Sequence, residues 1–413
     1  MSDHRAVDVD VAIIGAGPSG AVAAALLRKA GHSVRVLERQ QFPRFSIGES
    51  LLPQSMAYLD EAGMLQAVVE AGFQYKNGAR FVRRGESSSY DFRDKHTPGW
   101  GTTYQVERAT FDDLLIRCAA EQGADVRFGH TVNAIETGER PALDVTDEAG
   151  TQYRVQARFV LDASGFGRVL PRLLQLETPT RMPTRAALFT HVRDDMPLRA
   201  IDREKICVAV HPEHGNVWYW MIPLAGGRAS VGCVAESDFL QCTESERESR
   251  LRSLIRQEPT LGAWFGDAPF LMPVRTIGGY AANVARLHGP GFALLGNAGE
   301  FLDPVFSSGV TIALRSAHLA ACVLVRQLSG AAVDWQIEYD DELRRGIDVF
   351  RAFVERWYSG ELQDILFHAE QAPQIRRMIS AVLAGYAWDE TNPFVKDAGR
   401  RLDTLHEICK ATR

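Results

Sequence analysis

The sequence predicts an α/β fold: a parallel-sheet domain interleaved with an antiparallel β-sheet domain and followed by a helical C-terminal segment. Three observations carry this. The first is the β-branched run Val9-Asp10-Val11-Ala12-Ile13-Ile14, followed by clustered glycines and an Ala/Leu-rich stretch from Ala21 to Ala30. That is the order of buried strand, tight turn and helix. The second is the apolar/polar alternation from about Arg185 to Val234, the period of antiparallel strands. The third is the helical patterning of the chain beyond Leu328.

Gly31 stops the first helix, and Ser33 to Leu37 reads as a second strand ending at Glu38, which completes a βαβ unit. Pro53 to Ala62 reads as a short helix ending at Gly63, and Ala109 to Gln122 as a longer one stopped by Gly123. Short strands follow at Asp125–Phe128, Leu143–Thr146 and Arg158–Leu161, with a turn over Asp147-Glu148-Ala149-Gly150. Ala225-Gly226-Gly227-Arg228 predicts a hairpin turn. Ser237 to Glu258 is charged and amphipathic, the pattern of one surface helix. Phe292 to Gly296 reads as a buried strand and Val310 to Leu328 as the helix behind it. The two sheet patterns alternate along the chain, so the domains are expected to be discontinuous.

Composition excludes several classes. The chain has 413 residues, 46% hydrophobic and 24% charged, with a net charge of −6 and no basic run, so nucleic acid is not an expected partner. Six cysteines (Cys118, Cys207, Cys233, Cys242, Cys322, Cys409) show no CxxC spacing, which fits free thiols and no metal site. His211 and His214 flank Pro212 and read as a loop rather than a ligand pair. The polar N-terminal start argues against a signal peptide, and the apolar stretch Val11–Leu27 is too broken by glycines to span a membrane. A cytoplasmic location is the expectation.

Gly15-Ala16-Gly17-Pro18-Ser19-Gly20 is a GxGxxG turn between the first strand and helix, the Rossmann-like fingerprint for a dinucleotide. Gly15 permits the turn, Gly17 lets a pyrophosphate approach, and Gly20 lets helix pack on strand. Pro18 and Ser19 open a helix whose free N–H groups favour phosphate. Glu38, roughly 20 residues on, is placed to bind ribose hydroxyls, with Arg39 beside it.

A second motif, Gly296-Asn297-Ala298-Gly299-Glu300-Phe301-Leu302-Asp303-Pro304, again lies between a strand and a helix. Here the chain resembles the flavoprotein monooxygenase superfamily that includes p-hydroxybenzoate hydroxylase. The resemblance implies FAD, with Gly296, Asn297 and Asp303 near the ribityl chain. Asn297 stands where the family carries Asp. Arg108, in Gln105-Val106-Glu107-Arg108, resembles the family's arginine near the pyrophosphate, and Asp162-Ala163-Ser164-Gly165 its third motif. On this reading residues 1–75, 100–180 and 275–330 form the FAD-binding domain, 76–99 and 181–274 the substrate-side sheet, and 331–413 the helical segment.

Three further segments resemble flavin-dependent halogenases of the phenol and pyrrole type. They are Gly48-Glu49-Ser50-Leu51-Leu52-Pro53, then Trp218-Tyr219-Trp220-Met221-Ile222-Pro223 (WxWxIP), and Phe301-Leu302-Asp303-Pro304-Val305-Phe306-Ser307-Ser308-Gly309 (FxxPxxSxG). The resemblance implies Lys76 as the catalytic lysine, Trp218 and Trp220 as a barrier between flavin and substrate, Ser307, Ser308 and Gly309 at the halide, and Ser50 at the cofactor. It implies FADH2 from a separate reductase, O2, chloride or bromide, and hypohalous acid relayed by Lys76 to an electron-rich aromatic, free or carrier-bound. Two tryptophans on one strand face are also ordinary core packing, and a lysine is most often solvated. Glu49 and Ser50 would equally serve to cap the helix that Pro53 begins. Tryptophan halogenases carry Glu where this chain has Phe306, and a longer C-terminal region, which points away from free tryptophan. A halogenase-like monooxygenase that hydroxylates or oxidises an aromatic, and a non-catalytic flavin-binding protein, share the same motifs.

Overall fold

The computed structural model describes residues 7–180, 183–197, 201–279 and 282–412. The first residues of the polar N-terminal start, 1–6, lie outside the described residues. The Val7–Ile14 strand is central in a parallel sheet, flanked by Val34–Glu38 and Gln152–Asp162, with Asp125–Phe128 and Phe292–Leu294 outside them. Val11 to Ile14 are buried, as a continuous apolar run in a two-sided sheet requires. The hairpin Thr131–Glu136/Ala142–Thr146 adds antiparallel to the first half of Gln152–Asp162. The helix Pro18–Lys29 packs on Arg108–Glu121 and on Ser308–Leu328. Ser308–Leu328 is, among the described residues, the one helix long and apolar enough to cross a membrane, and most of its apolar residues are buried in this core.

The second sheet has seven strands in the order Arg275–Gly278, Arg185–Arg193, Arg228–Glu236, Trp218–Leu224, Lys205–Val210, Gly78–Arg83 and Glu86–Asp91. All pairs are antiparallel except Lys205–Val210 with Gly78–Arg83. Gly226 (φ 75°) and Gly227 (φ 69°) make the hairpin turn, a left-handed pair that glycine adopts without penalty. Arg275–Gly278 differs from expectation: it pairs with Ala186–Phe189 and edges this sheet rather than the FAD side. The segment 237–258 also differs. Its helix spans only Arg247–Gln257, because a capping box between Thr243 and Glu246 sets a 3₁₀ turn just before it.

The faces of the second sheet divide cleanly. Trp218, Trp220, Ile222 and Leu224 join the core shared with the parallel sheet, whereas Tyr219 and Met221 pack under Leu251, Leu254 and Ile255. The C-terminal segment is helical as expected: Glu342–Ser359, Glu361–Leu366, Pro373–Leu383 and Ala398–Ala411. It brings Phe353 and Trp357 edge-on to Phe306.

Candidate active site

The glycine loop is as tight as its sequence implies. Gly15 has φ +98°, and a Cβ there would meet Ala163 O at 2.6 Å; one on Gly20 would meet Gly15 O at 2.0 Å. Gly17 is different, since a Cβ would meet only Arg44 Nη2, at 3.6 Å. Pro18 and Ser19 are buried in the first helical turn, where the N–H groups of Ser19 and Gly20 have no partner within the helix. Glu38 is buried at the end of its strand and accepts from Ala16 N–H and Gln40 N–H, each at 2.9 Å. Arg39 follows it, exposed.

Arg108 forms a bidentate pair with buried Asp112 (2.7 and 3.0 Å) and donates to Ile47 O at 2.6 Å. Arg44 approaches the same carboxylate at 3.3 Å. Asp112 thus anchors two guanidinium groups, and the one over Gly17 is Arg44, a residue the sequence reading did not single out. Helix N–H groups, an open glycine and a fixed guanidinium form a donor set that suits a diphosphate. The residues present therefore fit FAD.

Asp162 is fully buried and accepts from Ser164 N–H (2.9 Å) and Leu170 N–H (2.7 Å), which shapes the loop beside Gly15. Burial raises its pKa above the usual carboxylate value, against those hydrogen bonds. Gly296 has φ +50°, and its backbone N–H donates to Ser316 Oγ at 2.9 Å. The carbonyl of Asn297 accepts from Arg168 at 3.3 Å. Asp303 lies in the same segment; its Oδ1 accepts from Val305 N–H at 3.0 Å and its Oδ2 from the Tyr358 hydroxyl at 2.7 Å. Ser307 is left-handed (φ 58°) and turns the chain into the Ser308–Leu328 helix. The N–H groups of Ser308 and Gly309 therefore open a helix N-terminus, a favourable setting for an anion.

Lys76 ends the short strand Gln74–Lys76, paired with Thr103–Gln105. Its side chain is completely buried, and Nζ donates to Ser50 Oγ at 2.8 Å and to Leu51 O at 2.7 Å. Burial pushes its pKa down to about 7. It lines a narrow crevice, with room for about one water, together with Leu52, Ala79, Phe81, Phe306 and Ser307. Lys76 and the Val305-Phe306-Ser307 turn thus line one largely apolar crevice. A larger open cleft, at Arg83, Asp364 and Phe367, lies apart from these groups.

Trp218 and Trp220 are both buried, with ring centroids 6.1 Å apart. Trp218 Nε1 donates to Tyr358 Oη at 2.9 Å and Trp220 Nε1 to Ser230 Oγ at 3.1 Å. Glu49, next to Ser50, is buried and bonds His191 Nε2 at 2.7 Å. Arg44, His191, Arg185 and Tyr358 were not found by sequence reasoning, because none lies in a local motif; Arg44 stands four residues before Gly48. His211 stays in a loop and bonds Gln257 (3.0 Å). Glu61, His318 and Cys322 do meet at the surface, but His318 Nδ1 is buried without a partner. A metal ligand's second nitrogen normally donates to a neighbour, so the cluster lacks that support.

Fold and glycine loop define an FAD-dependent oxidoreductase. Residues 8–349 match the FAD binding domain family. The chain is 30% identical over 354 residues to a flavin-dependent halogenase of Armillaria mellea, covering 80% of this chain and 70% of that protein. It is 27% identical over 433 residues to the 1H-pyrrole-2-carbonyl-[peptidyl-carrier protein] chlorinase of Pseudomonas fluorescens, covering 99% and 93%. A solved flavoprotein/dehydrogenase from Cytophaga hutchinsonii superposes with TM-score 0.94 at 43% identity, covering 98% of this chain and 99% of that one. The chain belongs to the flavin-dependent halogenase family, whose chemistry uses FAD, O2 and halide.

Proposed function

We propose that this halogenase works in the cytoplasm and uses FADH2 from a separate flavin reductase to halogenate a phenol- or pyrrole-like ring, free or carrier-tethered, with Lys76 relaying the oxidised halogen. Bound FAD, reduced and with O2, supplies the oxidising equivalent that turns chloride or bromide into hypohalous acid. The protein's own groups do the rest. Gly15, Gly17, Pro18, Ser19, Gly20, Glu38, Arg39, Arg44, Ser50, Arg108, Asp162, Gly296, Asn297 and Asp303 are the proposed cofactor side, and Ser307, Ser308 and Gly309 the halide side.

The observation that carries the relay is the Lys76 amine, which makes no ion pair with any described residue and faces the chamber shared with Phe306 and Ser307. Ser50 Oγ and Leu51 O take two N–H bonds. As an ammonium, Lys76 has a third N–H for the hypohalous acid; as a neutral amine its lone pair takes the halogen, the O–X bond breaks, and the hydroxide leaves as water with one amine proton. The haloamine then passes its halogen to a ring carbon as the N–X bond breaks, and the amine takes up the proton that carbon loses. Trp218 and Trp220 are proposed to keep the ring from the flavin side. Phe306 leaves the chamber without a carboxylate, so the acceptor is a ring that needs no protein base. The relative that chlorinates a carrier-bound pyrrole supports this substrate class.

Lys76→Met tests the relay in a reductase-coupled reaction with bromide. The expected result is continued flavin reoxidation with loss of brominated product. Undiminished bromination would overturn it. Oxygen incorporation without halide in the wild type would instead establish the hydroxylating alternative.

A further inference from the structure

Tyr358 lies near the end of the Glu342–Ser359 helix, in the segment where the sequence showed no site residue. Its hydroxyl accepts from Trp218 Nε1 at 2.9 Å and donates to Asp303 Oδ2 at 2.7 Å. The direction is fixed, because an indole N–H only donates and a carboxylate only accepts. The Arg185 guanidinium lies over the phenol ring, 3.4 Å from its centroid. Asp303 Oδ1 meanwhile accepts from Val305 N–H at 3.0 Å and opens the 3₁₀ turn Pro304–Phe306. That turn leads directly into left-handed Ser307. One hydroxyl therefore joins the C-terminal helix, the tryptophan strand and the turn that presents Ser307, Ser308 and Gly309.

We propose that Tyr358 is a positioning residue that holds Trp218 and the halide-binding turn in one register, so that halide affinity and coupling to product depend on it. This rests on the reading of Ser307–Gly309 as the halide site. Tyr358→Phe keeps the ring and its stacking on Arg185 but removes both hydrogen bonds. Losing a bond to a carboxylate together with the Trp218 anchor is expected to weaken bromide binding about tenfold.

The test uses FAD-loaded Tyr358→Phe and wild-type protein. Bromide is titrated into the oxidised holoenzyme and followed by the flavin absorbance, and product per flavin reoxidised is measured with a reductase. The expected result is a bromide Kd and KM raised about tenfold, a smaller change in kcat, and a lower product yield per flavin. FAD content stays near wild type. Trp218→Phe removes the donor at the other end and is expected to raise the bromide Kd similarly; in the double variant the two effects do not add. Should Tyr358→Phe fail to fold, Trp218→Phe alone carries the measurement. A lowered Tm with unchanged bromide Kd and yield would show a purely structural role and overturn the proposal, as would additive effects in the double variant. Wild-type protein that yields no brominated product would refute the proposed function first, and would be recognised by that control alone.

Discussion

The indole of Trp220 lies across Gly232, its partner on the neighbouring strand. A Cβ on Gly232 would come within 2.3 Å of Trp220 Cζ2 and 2.5 Å of Cη2. The ring has little freedom to yield, since Nε1 is bonded to Ser230 Oγ at 3.1 Å and Phe189 packs 5.8 Å away, centroid to centroid. Gly232→Ala is therefore expected to cost about 1–3 kcal/mol through overpacking, seen as a lower Tm. If Trp220 acts as the proposed barrier, its displacement is also expected to lower product yield per flavin reoxidised. A variant with wild-type Tm and yield would show that the indole relocates freely.

Arg44 and Arg108 share Asp112 but differ in what their loss leaves behind. In Arg44→Ala, Asp112 keeps its bidentate partner, so the fold should hold while FAD affinity falls about tenfold, one charge-assisted contact. Arg108→Ala removes the two short bonds to a carboxylate that is fully buried. It is expected to cost about 3–5 kcal/mol. Flavin-fluorescence titration and thermal unfolding separate the two; equal FAD affinity for Arg44→Ala and wild type would remove Arg44 from the cofactor side.

This contrast also explains what could be read in advance. Gly15, Gly20 and the Trp218–Pro223 strand were legible because each requirement is local: a positive φ, a close approach, or an alternation of faces within a few residues. The left-handed Gly226-Gly227 turn was legible for the same reason. Arg44 over Gly17, Arg185 on Tyr358, and Tyr358 between Trp218 and Asp303 are contacts between distant segments, and a single charged or hydroxyl residue carries no periodicity to reveal its partner. The edge strand Arg275–Gly278 escaped because its pairing is set by the distant segment Ala186–Phe189. The helix expected from Ser237 failed at a local rule, since Thr243 and Glu246 already spelled the capping box that delays it to Arg247.

Phe306 sets the size of the chamber. Its ring stands edge-on to Phe353 and Trp357, with centroids 6.3 and 5.9 Å away. Phe306→Ala removes that packing and is expected to cost about 3–5 kcal/mol, measured by denaturant unfolding. The space gained adjoins Lys76, so with the proposed phenol-type acceptor the variant is expected to take bulkier rings than the wild type. An unchanged acceptor range, tested with a series of substituted phenols, would place the acceptor ring elsewhere.

The buried Lys76 makes stability depend on pH in a definite direction. Its folded pKa is lowered to about 7 from 10.5, with burial as the cause. Below about pH 7 both folded and unfolded chains carry the charge, and the folded state bears the full cost of burying it. Between about 7 and 10.5 the unfolded lysine holds a proton that the folded one has lost, so stability rises with pH. The slope approaches about 1.4 kcal/mol per pH unit in that window. Lys76→Met has no such group, although it also leaves Ser50 Oγ and Leu51 O without their donor, a loss that is the same at every pH. Wild type minus Lys76→Met stability should therefore climb steadily from about pH 7 to about pH 10 and be flat near pH 6. Urea unfolding of both proteins across that range measures the difference. A difference that is flat from pH 7 to 10 would mean the amine keeps its proton in the fold, and in the proposed relay would leave the ammonium, rather than the amine lone pair, to engage the oxidised halogen.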